Sequence, residues 1–203
     1  MFPYIKVSTF KDWKEMVDWY ALLCKDQLKL EPSMSELVSG LKTKVAEQTE
    51  GLSEPERKRK IVEIVYDYVS NQIRYLGLEF GKHGHKPHKV SETCQARYGD
   101  CKDKAALGVA LLSELGVPSK LALIRTTHIG KIDFGLSSLG LFNHAIIRLT
   151  DPDLEAQWLD GTAEYYRVGE LPRMDQGGTS LVVGLDGSYQ LEQVTLDPAE
   201  KNK

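Results

Sequence analysis

The strongest constraint on this 203-residue chain is a change of hydrophobic period around Pro118. Up to Leu115 apolar residues recur at three- and four-residue spacing; beyond Pro118 they gather in short β-type runs between turn residues. Trp13, Met16/Val17, Tyr20 and Leu23/Cys24 form one helical stripe, for which Thr9 is a suitable cap. Met34, Leu37/Val38, Leu41 and Val45 form a second, ending before Gly51. Ser53-Glu54-Pro55-Glu56 is a capping box opening a third helix, with Ile61, Val65, Tyr68/Val69 and Ile73 on one side. Ser91 is expected to cap a short helix over 92–97, and Asp100 a longer one from Cys101 to Leu115, stopped by Gly116 and Pro118. Strands are predicted over 120–126, 143–149, 157–160, 180–185 and 189–194. Helices first and strands second describe an α+β fold, N-terminal helices packed on an antiparallel sheet, and not a parallel βαβ sheet. Residues 1–75 read as the helical N-terminal part and 76–203 as the core of one compact domain, the simplest division at this length.

Composition narrows the function classes. Lys and Arg number 26 against 29 Asp and Glu, a net charge of −3, which excludes the basic footprint of a nucleic-acid binder. At 41% hydrophobic residues the chain can build a core. No apolar run approaches the ~18–20 residues of a membrane span. Met1–Lys6 lacks the build of a signal peptide; a leader ahead of this segment would place it in a bacterial periplasm or envelope, and its absence would leave it cytoplasmic. Three cysteines, Cys24, Cys94 and Cys101, with no C-x-x-C, form neither a disulfide framework nor a Cys-based zinc site.

Cys24 falls on an apolar helical stripe, the ordinary place for a structural thiol. Cys101 does not. With Asp100 as N-cap and Asp103 three residues on, its sulfur faces free backbone N–H groups and the positive end of a helix dipole, which favour thiolate over thiol. Gly99 is expected to allow a sharp turn and close substrate approach. A thiolate nucleophile needs an imidazole partner, and His144 opens a predicted strand while Asp160 closes the next. A turn centred on Pro152 would pair 144 with 160, 146 with 158 and 148 with 156, making His144 and Asp160 direct cross-strand neighbours. The backbone N–H of Cys101 is one candidate oxyanion donor; Gln95 and Tyr98 are candidates for a second.

Gly99-Asp100-Cys101-Lys102-Asp103-Lys104-Ala105, Phe142-Asn143-His144-Ala145 and Leu159-Asp160-Gly161-Thr162 resemble, in that order, the three core motifs of the transglutaminase-like superfamily. The chain is most similar to bacterial transglutaminase-like domains described as cysteine proteases. The resemblance implies a papain-like core with Cys101 as nucleophile, His144 as base and acid and Asp160 as orienting carboxylate. It implies a thioester acyl-enzyme formed on a peptide or protein amide, deacylated by water or an amine, with no cofactor or metal. It also implies a fragment of a longer protein in which a β-rich domain precedes this one. Papain-like enzymes use a neutral Asn in the third place, so the charge of Asp160 is expected to contribute only about 10–100-fold.

Two other readings compete. His83, His85 and His88 could bind Zn or Ni, though flanking lysines repel a cation; a loop lining the substrate groove, or simply a solvated loop, suits them better. Trp13, Trp19 and the helical first third could instead make the chain a non-catalytic interaction module on the same fold.

Overall fold

The structure is a computed structural model that describes residues 7–77, 81–130, 135–155 and 157–197. Residues 1–6, read above for a leader, lie outside the described residues, as do parts of the loops predicted over 76–89 and 128–141. Five α-helices are described: α1 (Trp13–Lys25), α2 (Ser35–Gln48), α3 (Glu54–Asp67), α4 (Val90–Ala96) and α5 (Cys101–Glu114). Two short parallel strands, β1 (Arg74–Tyr75) and β2 (Tyr98–Gly99), pair with each other. A five-stranded antiparallel sheet follows, made of β3 (Ser119–Arg125), β4 (His144–Leu149), β5 (Trp158–Leu159), β6 (Thr179–Val183) and β7 (Tyr189–Gln193) in the order β5-β4-β3-β6-β7. This is the α+β architecture expected from the change of period.

Local chemistry moves some boundaries. Asp12, not Thr9, caps α1, its carboxylate accepting the Glu15 N–H at 2.9 Å. Lys89 stands at the N-cap of α4, where Glu92 accepts its N–H at 3.1 Å; Ser91 lies inside the helix and donates to Glu31 instead. The helix begun by the Ser53–Glu56 box widens into a π-turn over Tyr68–Gln72. The carbonyls of Ser70 and Ile73 are met by the Nζ of Lys104, a fully buried lysine.

Helix α5 is central. Cys101 through Leu112 are all buried, so it is enclosed on every side, unlike an amphipathic surface helix. Gly108 permits its close packing on the sheet: a Cβ there would lie 2.3 Å from Ile147 Cδ1. The alternation of β4 sends Ala145, Ile147 and Leu149 into the main core with α5. Ile146 joins a second core on the opposite face with Ala122, Ile124, Trp158, Leu171, Val182 and Val194. His144 shares the parity of Ile146 but stands at the first position of the strand, where the N-terminus of α5 reaches the end of the sheet.

Candidate active site

Asp100 builds the start of α5. Its Oδ1 accepts the N–H groups of Lys102 and Asp103 at 3.1 and 3.2 Å, while Asp103 accepts the Asp100 N–H at 3.1 Å. This reciprocal box places Cys101 at the first helical position, as expected. Asp100 also forms a buried ion pair with Lys102. No acceptor among the described residues takes the Cys101 N–H, so that donor is free for an oxyanion.

Gly99 serves a different purpose from the one expected. It lies in β2, paired with Tyr75, and a Cβ there would sit 2.7 Å from Asp103 Cβ and 3.1 Å from Thr93 Cγ2. Gly99 makes room for the capping box and not for substrate. Gly99→Ala should cost about 1–3 kcal/mol through this overpacking. A thermal melt checks it, with a drop of several degrees expected.

The hairpin register differs from the one predicted. Ile147 pairs with Leu159 and Arg148 with Trp158, and the Leu149 N–H donates to the Gln157 carbonyl at 2.8 Å. The connection is longer than a turn on Pro152 would give. It is braced by the Asp151 carboxylate, which accepts the Asp153 N–H, and by Lys58, which bridges Asp151 at 2.9 Å and Asp153 at 2.8 Å. The predicted partner of Arg148, Ala156, lies outside the described residues. Extending the observed register sets Asp160 opposite Ile146, a diagonal and not a direct neighbour of His144. A two-residue slip preserves the side-chain face, so the two still meet.

His144 Nε2 lies 3.2 Å from Asp160 Oδ2, with both side chains under 10% exposed. The two meet as a buried ion pair, without the alignment of a straight hydrogen bond. The imidazole shares a groove with Cys101, which acts on it together with Asp160. Burial opposes charging His144, but Asp160 and Cys101 outweigh it and hold the imidazolium well above the usual histidine range, at about 11. Burial likewise opposes the Asp160 carboxylate. His144 and the Thr162 N–H and hydroxyl, both donating to Oδ1 at 2.8 Å, more than compensate and keep its pKa low.

A groove of about 190 Å³ opens over Cys101 and His144, with Tyr20, Leu139, Phe142 and His85 among its walls. Gln95 and Tyr98 are not among its lining residues; Gln95 borders a separate groove between α2, α3 and α4. The His-rich loop is tied to α5 through Asp103, which accepts the His88 N–H at 2.8 Å and lies 3.1 Å from its Nδ1. The His83 and His88 rings stack in parallel at 3.9 Å, an arrangement that does not converge their nitrogens on a metal. The loop instead brings Gly84 and His85 to the Cys101 groove. Trp13 packs edge-on against Phe142 beside this groove, leaving Trp19 as the exposed tryptophan of α1.

A fourth side chain, unmarked in the sequence, completes the cluster. Asp175 is fully buried, and one of its carboxylate oxygens, one of Asp160 and a His144 ring nitrogen lie within 4.8 Å of one another. Among the described residues this is the one group of three metal-ligating side chains that converges. His144 also borders the Cys101 groove, which gives it the surroundings of an acid–base group.

Helices packed on an antiparallel five-stranded sheet in this arrangement form the papain-like α+β core of cysteine-enzyme folds. The sequence profile of the transglutaminase-like superfamily matches residues 42–145, and the chain belongs to that superfamily. A Parabacteroides distasonis protein described as a “putative protease” shares the fold, with a TM-score of 0.61 and 16% identity over 94% of this chain. The match spans 32% of that protein, so this chain corresponds to about a third of it. A Cytophaga hutchinsonii “putative cysteine protease” matches 84% of this chain and 58% of its own, at 16% identity and a TM-score of 0.40. No curated protein sequence matches the chain. Among the described residues no helix is long and apolar enough to cross a membrane.

Proposed function

We propose that the chain is a cysteine acyl-transfer enzyme acting on the amide bonds of peptides or proteins, with Cys101 as nucleophile, His144 as acid and base and Asp160 as the carboxylate that orients it. The observation that carries this reading is a single imidazole that lies 3.2 Å from the Asp160 carboxylate and lines the same groove as Cys101. In the resting site His144 is protonated beside the sulfur. Sγ attacks the amide carbonyl carbon, and the Cys101 N–H stabilises the developing oxyanion. The imidazolium gives its proton to the leaving amine, and a thioester remains on Cys101. Neutral His144 then takes a proton from water or an acceptor amine, which attacks the thioester and returns the thiolate. A neighbouring β-rich domain, as in longer proteins of this type, would supply further substrate contacts.

Thiol labelling tests the nucleophile. Cys24 is fully buried, and burial pushes its thiol up to about 12; Cys94 lies 3.3 Å from the Tyr68 hydroxyl. Iodoacetamide at neutral pH should therefore label Cys101 at least about tenfold faster than either. Equal labelling of the three, located by peptide mass analysis, would favour an interaction module without catalysis.

A further inference from the structure

We propose that Asp175 is a positioning residue that keeps its proton and donates it to Asp160, so that the site is a four-residue chain running from Cys101 through His144 and Asp160 to Asp175. This rests on the catalytic reading above. A buried aspartate normally accepts backbone or side-chain donors, yet among the described residues no donor reaches either oxygen of Asp175. The Oδ2 of Asp160 is likewise without a hydrogen-bond donor among the described residues. Two buried carboxylates this close cannot both stay ionised, whereas one proton between them satisfies an oxygen on each side.

The location of that proton follows from the surroundings. Asp160 has the two Thr162 donors and the His144 imidazolium, all of which favour its carboxylate. Asp175 has none of these as hydrogen-bonding partners, so it carries the proton. The titratable groups acting on Asp175 are Asp160 and His144; Cys101 lies beyond His144, and Tyr66 and Lys104 feel Asp160. Burial first, and the Asp160 charge second, push Asp175 up to about 7 despite the opposing pull of His144.

The backbone holds Asp175 at this place. Its N–H donates to the Pro172 carbonyl and its own carbonyl accepts the Gly178 N–H, both at 2.9 Å. Thr127 donates its N–H to the Met174 carbonyl at 2.8 Å. Gly178 has no room for a Cβ, which would fall 2.8 Å from the Arg125 carbonyl oxygen. The turn is thus clamped to the end of β3 with the acid directed inward, toward Asp160.

The test compares Asp175→Asn, whose amide donates at every pH, with Asp175→Ala, which never donates. Cys101 alkylation by iodoacetamide and thermal melts are followed from pH 5 to pH 9 on the 203-residue chain. Alkylation at pH 6 should slow by about tenfold in the alanine variant and by about threefold or less in the asparagine variant. An acid whose folded pKa is raised contributes stability that is present below its unfolded value, near 4, and lost as pH rises through about 7. The wild-type melting temperature should therefore fall between pH 5 and pH 8 by more than that of Asp175→Asn, whose alkylation profile should also lack the limb near pH 7. Equal alkylation in the two variants, or a wild-type pH slope retained in Asp175→Asn, would overturn the proposal. So would a stoichiometric divalent metal in the wild type that Asp175→Asn loses, since a cation would then balance the charges. If Asp175→Ala does not fold, the asparagine comparison decides. A wild-type Cys101 that is itself unreactive defeats the catalytic reading, while the melts still judge the Asp175 proton.

Discussion

Cys101→Ala should abolish alkylation at position 101 and reduce amide turnover by about 10⁴-fold or more, because the covalent route disappears with the sulfur. The fold should survive. The substituted side chain sits at the first position of a helix whose capping contacts all belong to Asp100 and Asp103. Its stability change should stay within about 1 kcal/mol, read from paired thermal melts. Cys101→Ser, which keeps the shape and a hydroxyl, should be as inactive, since the reaction needs the thiolate and not merely a donor at that place. Turnover persisting in either variant would move the chemistry away from the end of α5.

Some parts of this site are written into local sequence and others are not. The α5 start is legible because Asp100 and Asp103 act within one helical turn, where spacing alone dictates who bonds whom. The facing of His144 and Asp160 is legible only to parity. A period-two pattern identifies the shared face of a hairpin, but the length of its connection depends on Lys58, which arrives from α3 and bridges Asp151 and Asp153. Gly99 carries a correct signal with the wrong cause, since a glycine made necessary by a close approach looks the same whether the neighbour is substrate or Asp103 Cβ.

Asp175 lies beyond such reading, and for the His-rich loop the sequence leaves open whether it walls the groove or only meets solvent. Asp175 follows Leu171-Pro172-Arg173-Met174, a stretch with neither strand nor helix period, and it reaches the site only because its turn is docked on the end of β3. Three closely spaced histidines suggest a metal by composition, yet their direction is set by Asp103 fifteen residues after His88. Contacts of this kind depend on tertiary packing and leave no periodic trace.

Asp160→Asn should slow Cys101 alkylation and any amide turnover at neutral pH by about 10²–10³-fold, more than the 10–100-fold suggested by papain-like enzymes with a neutral third residue. The difference comes from Thr162. Both of its donors converge on Asp160 Oδ1, so an asparagine must place its carbonyl oxygen there and turn its NH₂ toward His144 Nε2. A donor then faces a donor. The imidazole can escape only by giving up its Nε2 proton, which dissolves the imidazolium beside the sulfur. Stability should follow the same proton. A histidine held at about 11 in the folded state, against an ordinary value near 6.5, contributes stability that is complete below about pH 6.5 and lost as pH rises toward 11. Wild-type melting temperature should therefore decline across that alkaline window, and Asp160→Asn, whose His144 returns toward its ordinary value, should decline less. The measurement is a pair of melting profiles from pH 6 to pH 10 alongside the alkylation rates. Parallel alkaline slopes with unchanged alkylation would show that Asp160 serves only its turn with Thr162 and would leave a Cys101–His144 dyad.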